Sequence, residues 1–151
     1  MNLIYPATTK SYANGQIGVF FVDVPEAITA GATLGQALDH ARDALVVALA
    51  GYLAQGRAVP PPSKTKRGQR LVAVPPRAAI KIAIHDAMRE SAVTQAQLAQ
   101  TMGIDARQVR RLLDLGHESR LSQLEAALAA LGLHVEVSVS SLSPGASSAV
   151  A

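Results

Sequence analysis

Arg107, Gln108, Arg110 and Arg111 lie close together in the run 106–113, ARQVRRLL. Arginine offers a rigid fork of donors to O6 and N7 of guanine, and glutamine can pair with N6 and N7 of adenine, so this set suits the reading of base edges. To act together these side chains need one helix that can enter a major groove. Val109, Leu112 and Leu113 recur at helical spacing as the buried face of such a helix. Ala106, Arg107, Arg110 and Arg111 then point outward, with Gln108 near the edge. Asp105 stands where an N-cap is needed.

A second short helix precedes it. Thr94 with Gln97 three residues on fits a capping box, so Gln95 to Thr101 is predicted helical with Leu98 and Ala99 inward. Met102, Gly103 and Ile104 make the corner, because glycine takes a left-handed turn at low steric cost. The pattern predicts a helix-turn-helix. Thr94 and Gln95, at a helix start, would hold a phosphate with backbone N–H groups. Arg107, Gln108 and Arg111 would read bases, and Arg110 or Arg120 would touch phosphates. A plainer reading is a small bundle with a solvated basic face. Caps, corner glycine, buried spacing and outward guanidinium groups in one window favour binding of double-stranded DNA, with a dimer presenting two such units to adjacent grooves.

Other chemistry finds little support. Nuclease chemistry of the RNase H kind needs several carboxylates converging on two divalent ions. Asp23, Glu26, Asp39 and Asp43 are the candidates in the first half; Asp39 and Asp43 share a helix face beside Arg42, and Asp23 at a strand end is better placed to cap the next turn. His40, His85, His117 and His134 are widely spread and form no ligand pair. No glycine-rich phosphate loop is present. The chain reads as a non-enzyme without metal or cofactor.

The 151 residues can hold one ordinary domain or two small ones. A hydrophobic fraction of 49% is enough for a core, carried by Ala, Leu and Val because aromatics are only 3%. The absence of cysteine excludes disulfides and thiolate metal sites and fits a reducing compartment. The start MNLIYPATTK has no signal-peptide character, and Ala44 to Leu53 is too short for the roughly 20 residues that cross a bilayer. The expectation is a cytoplasmic protein with no membrane contact. Charge is uneven: residues 1–62 carry three basic and four acidic side chains, and residues 63–151 carry eleven and seven. A polyanion partner therefore belongs to the second half.

These motifs require a small sheet and a helical unit around them. Leu3 to Thr8 and Ile17 to Asp23 read as strands joined through an Asn14-Gly15 turn, with Ile17, Val19 and Phe21 on one side and Phe20 and Val22 on the other. Ala27 to Ala32 suggests a further strand. Thr33 caps a helix reaching about Gln55 and ending at Gly56, with Leu34, Leu38, Ala41, Leu45, Ala48, Leu49 and Tyr52 facing the sheet. Val46, Val47 and Leu53 fall outside that stripe, as a partner surface or as scattered exposed apolar residues. The run 60–68, PPPSKTKRG, is a linker or a loop; Gln69 to Val74 favours the loop, since that strand needs a sheet to join. Pro75-Pro76 marks the boundary between an N-terminal domain, 1–74, and a C-terminal one, 75–140. Arg77 to Ser91 is predicted as a helix burying Ile80, Ile84, Ala87 and Met88, and Leu121 to Leu131 as a closing helix. Leu133 to Ser140 alternates as a strand that needs a neighbour, in the first sheet or in a second copy. Residues 141–151 are Ser- and Ala-rich and read as a disordered tail.

In order and spacing the chain resembles the HicB antitoxins with a C-terminal Cro/repressor-like (XRE-type) helix-turn-helix. The resemblance rests on Tyr5-Pro6-Ala7, the run 18–25 (GVFFVDVP), the run 29–33 (TAGAT), Ala37-Leu38 and the run 41–45 (ARDAL), followed by Pro60 and Pro62. It continues in Lys81-Ile82-Ala83-Ile84, Met88-Arg89-Glu90, Thr94-Gln95, the run 110–114 (RRLLD) and the run 124–128 (LEAAL). It implies an α+β chain: a small degenerate RNase H-like sheet with one packed helix and no nuclease activity, then an all-α DNA-binding domain with a terminal strand. It implies two roles. The first domain would bind and block a HicA-like mRNA-cleaving toxin, with Phe20, Val22, Asp23, Val46 and Leu53 as its contact residues. The second would repress the shared operon as a homodimer or dimer of dimers. The competing reading is a stand-alone transcription regulator whose first domain senses a small molecule.

Overall fold

The computed structural model describes residues 1–141 and is α+β, with a four-stranded antiparallel sheet and five helices among those residues. Strands β1 (Ile4–Ser11), β2 (Ile17–Phe21) and β3 (Ile28–Gly31) precede helix α1 (Leu34–Ala54) and strand β4 (Arg70–Ala73). The helices α2 (Pro76–Glu90), α3 (Gln95–Met102), α4 (Ala106–Leu113) and α5 (Leu121–Ala130) follow. Contacts divide the chain into two units. One is built on 2–45 and 60–73, the other on 46–59 and 74–136, so α1 supplies residues to both.

In the first unit the strand order is β3-β2-β1-β4. The β1–β2 turn closes as its residues predict: Tyr12 N–H donates to the Gln16 carbonyl at 2.8 Å, and Gln16 N–H to Asn14 Oδ1 at 3.0 Å. Ala7 pairs with Phe21 and Thr9 with Val19, so Tyr5, Ala7, Val19 and Phe21 share the buried side. Ala37, Ala41 and Leu45 of α1 are fully buried in the same unit, as is Val24, and nearly so Ala27 and Val72. The expected helix stripe is shifted: Leu34, Leu38 and Ala48 are only half-buried, while Leu53 is buried. Thr33 Oγ1 accepts the Gln36 N–H at 3.2 Å, which caps α1.

The proline run is a loop within this unit. Tyr5 Oη donates to the Pro60 carbonyl at 2.6 Å, and Asp23 Oδ2 accepts both the N–H and the hydroxyl of Ser63 at 3.0 Å. Strand β4 then adds to the free edge of β1, with Tyr5 opposite Val72. Asp23 therefore ties down a loop forty residues away instead of capping the turn after β2.

The second unit has one apolar core, made by Ile84 and Met88 of α2, Leu98 of α3, Val109 and Leu112 of α4, and Leu124 and Leu128 of α5. The expected strand at 133–140 is not formed. Residues 133–141 make no ladder, and Val137 and Val139 are 83% and 94% exposed. A strand is held by pairing with a neighbour's backbone, and the sheet offers this segment none. The tail expected beyond 141 lies outside the described residues.

Gly31 is a point of close approach. A Cβ there would sit 2.4 Å from the backbone nitrogen of Ala37, where β3 runs into the start of α1. Neither backbone can yield like a flexible side chain. Gly31→Ala is expected to cost about 2 kcal/mol or more, lowering Tm by roughly 4–8 °C in thermal unfolding. An unchanged Tm would show that the strand and helix can part at no cost.

Candidate nucleic-acid interface

The helices that carry the candidate residues have only eight residues each, too few to be stable alone in water. Their ends are correspondingly well capped. Thr94 Oγ1 accepts the Gln97 N–H at 3.1 Å while Gln97 Oε1 accepts the Thr94 N–H at 2.8 Å. Gly103 takes φ 66°, ψ 33°, turning the chain out of α3, and Ile104 N–H returns to the Ala99 carbonyl at 3.1 Å. Met102 and Ile104 pack against the core from both sides of this corner. Asp105 and Gln108 form a second reciprocal pair at the start of α4, at 2.8 and 3.0 Å.

On α4, Val109, Leu112 and Leu113 are buried. At 3.6 residues per turn, Arg107 and Arg111 lie opposite that face, with Arg110 to one side and Gln108 to the other. Ala106, Arg107, Gln108, Arg110, Arg111 and Arg120 are all exposed. Among the described residues, the ion pairs involve none of these four arginines; they are Arg42 with Asp39, Arg77 with Glu118, Arg89 with Asp86 and His134 with Glu136. Four guanidinium groups are thus left to solvent.

Two of the expected contact residues also serve as caps. Gln108 commits one lone pair of its amide oxygen to the Asp105 N–H, while its NH2 group makes no hydrogen bond among the described residues. Thr94 has its N–H committed to Gln97, so of the expected phosphate-holding pair only Gln95 keeps a backbone N–H without an acceptor among the described residues.

What holds α4 in place was not foreseen. Lys81 is fully buried on α2, and its ammonium donates to the carbonyls of Arg111 at 3.0 Å, Asp114 at 2.7 Å and His117 at 2.6 Å. One turn on, His85 Nε2 donates to the Leu113 carbonyl at 2.8 Å. These carbonyls belong to the end of α4 and the loop after it, where helix groups lack partners and the macrodipole is negative. Three acceptors need three N–H donors, so the ammonium is the form this site holds. Burial pushes the Lys81 pKa below its ordinary 10.5; Asp114 works against that shift and Arg77 adds to it. Hydropathy reads lysine as solvent-facing. The available signal was Lys81 in register with Ala78, His85 and Met88 on one helical stripe.

On the first unit, Val22 is 71% exposed, and Phe20 is half-buried on the open side of the sheet. The β2–β3 pairing sets Ile28, 62% exposed, directly across from Phe20. Sequence reasoning missed Ile28, because only the strand register brings it beside Phe20. Leu53, expected on a partner face, is buried, and Val46 is half-buried; Val47 is the exposed residue of that helix segment. Asp39 lies 3.6 Å from Arg42 on an exposed surface, and no group of three or more His, Cys, Asp or Glu able to hold a metal occurs among the described residues.

Residues 4–83 match the family described as the HicB-like antitoxin of bacterial toxin-antitoxin systems. The chain belongs to that family. It is 34% identical over 128 residues to Antitoxin HicB of Escherichia coli K12, covering 85% of this chain and 93% of that protein. It is 35% identical over 136 residues to Antitoxin HicB 2 of Photorhabdus laumondii, covering 90% and 96%. Against Antitoxin HicB of Pseudomonas fluorescens Pf0-1 the identity is 33% over 126 residues, covering 83% and 86%. HicB-like antitoxins are regulatory proteins and not enzymes, in keeping with the reading of the carboxylates. Among the described residues no helix is long and apolar enough to cross a membrane.

Lys81→Met removes the donors and leaves three carbonyls unmet, at a cost of about 1–3 kcal/mol in urea unfolding near neutral pH. The pH dependence carries the sign of a lowered pKa. Between the lowered value and 10.5 the unfolded chain binds more protons at this lysine, so its contribution to stability rises with pH. The parent's advantage over Lys81→Met should therefore grow as pH approaches 10.5; a shrinking advantage contradicts the assignment.

Proposed function

We propose that this HicB-like antitoxin neutralises a small RNA-cleaving toxin through its N-terminal unit and represses the operon encoding both by binding DNA. In this reading α3 and α4 act as a helix-turn-helix of the Cro/repressor type, and the sheet is the remnant of an RNase H-like fold. The observation that carries the DNA half is the pair Arg107 and Arg111. Both stand free on the side of α4 opposite its core, on a helix capped at its start and clamped at its end.

A homodimer would place two α4 helices in successive major grooves about 34–36 Å apart, on a pseudo-palindromic operator. Arg107 and Arg111 read bases, Gln108 contributes its NH2 group, and Ala106 sits where a thymine methyl would meet it. Arg110, Arg120 and the Gln95 N–H take backbone phosphates. In mobility shifts with the DNA upstream of its own gene, Arg107→Ala should cost about 1–3 kcal/mol and relax preference at one base pair. Equal weakening on every duplex would reduce Arg107 to a phosphate contact.

The toxin half is supported by the open apolar side of the sheet, where Phe20, Val22 and Ile28 stand together without a cover. Leu53 is buried and Val46 half-buried, which favours this face over those two residues of α1 as the contact. Val22→Lys with Ile28→Lys should abolish co-purification of the small protein encoded beside this gene while leaving DNA binding intact. Undiminished co-purification would move the toxin site elsewhere.

A further inference from the structure

Beside α4 lies a cleft of about 320 Å³, walled by α4 on one side and by the α4–α5 loop and α5 on the other. That volume is at the lower end of small-molecule sites, roughly 300–1,000 Å³. We propose that this cleft binds a small organic oxyanion, a carboxylate on a short apolar body, through Arg111, His117, Ser119 and Ser122.

The polar groups of the cleft are donors. Gln108 and Gln123 line it, and each has its amide oxygen tied to a backbone N–H, that of Asp105 at 3.0 Å and that of Arg120 at 3.2 Å. Each cap occupies one lone pair of the amide oxygen, and both NH2 groups make no hydrogen bond among the described residues and are available to donate. Arg111 adds a guanidinium group, and no carboxylate is among the lining residues. Ser119 is only 4% exposed, and its hydroxyl makes no hydrogen bond among the described residues; because no fully buried side-chain oxygen or nitrogen there lacks a partner, this hydroxyl keeps contact with solvent, and it lines the cleft. Ile104, Leu112 and Ala126 form apolar walls that a bare phosphate would leave uncovered, which selects an anion with a hydrocarbon part.

Arg111 lies at the boundary between this cleft and the outward face of α4. A bound anion would draw on the same guanidinium that reads a base, so ligand and duplex would compete. That consequence rests on the DNA-binding reading; occupancy of the cleft does not.

The test is a titration of the 15N-labelled full-length protein, without DNA, using benzoate and separately inorganic phosphate. Benzoate should saturably shift the amides of Ser119, Ser122 and Gln123. Ser122→Ala, an exposed change that spares the core, should weaken this about three- to tenfold, and Arg111→Met about tenfold or more. Phosphate saturating the same amides as tightly as benzoate would overturn the organic ligand and assign the cleft to bare phosphate, as from a DNA backbone. No saturable shift with either overturns the site. Protein that takes benzoate but not the upstream duplex keeps the cleft and removes the DNA reading; the reverse result removes the cleft alone.

Discussion

A buried lysine decides where the arginines of this protein point. Moving an ammonium out of water costs several kcal/mol unless good acceptors replace its hydration. Lys81 finds three carbonyls at the end of α4, and His85 one turn later finds a fourth. The apolar contacts of Ile84, Met88, Val109 and Leu112 supply non-directional attraction. Hydrogen bonds of set length and angle add direction, and with it the rotation of α4 about its own axis. That rotation is what turns Arg107 and Arg111 away from the core.

The same economy governs the helix starts. Eight-residue helices cannot rely on propensity, so Thr94 with Gln97 and Asp105 with Gln108 close the first turns reciprocally. The same bonds hold Gln108 and Gln123, which line the cleft beside α4, by their amide oxygens at the helix starts.

The sheet unit shows a similar division of labour. Its inner side is filled by Tyr5, Ala7, Val19 and Phe21, and its loop is pinned by Tyr5 and Asp23 to positions more than thirty residues away. Polar groups that look available for chemistry are spent on holding the proline loop. The other side keeps Phe20 half-buried and Val22 and Ile28 exposed, with Ile28 set across from Phe20 by the strand register.

Local chemistry was legible without coordinates: the caps at Thr94 and Asp105, the corner at Gly103, the β1–β2 turn at Asn14-Gly15, the stripe Val109, Leu112, Leu113 and the family itself. Each depends on residues within a few positions of one another, where backbone geometry leaves few choices. Whatever depends on distant partners was settled only by tertiary structure. Ile28 meets Phe20 through strand register, Asp23 meets Ser63 through loop closure, Leu53 is buried by packing, and residues 133–140 join no ladder of the four-stranded sheet. Lys81 belongs with these, since a charged side chain is buried only where folding brings acceptors to it, and its three carbonyls lie thirty or more residues further along the chain.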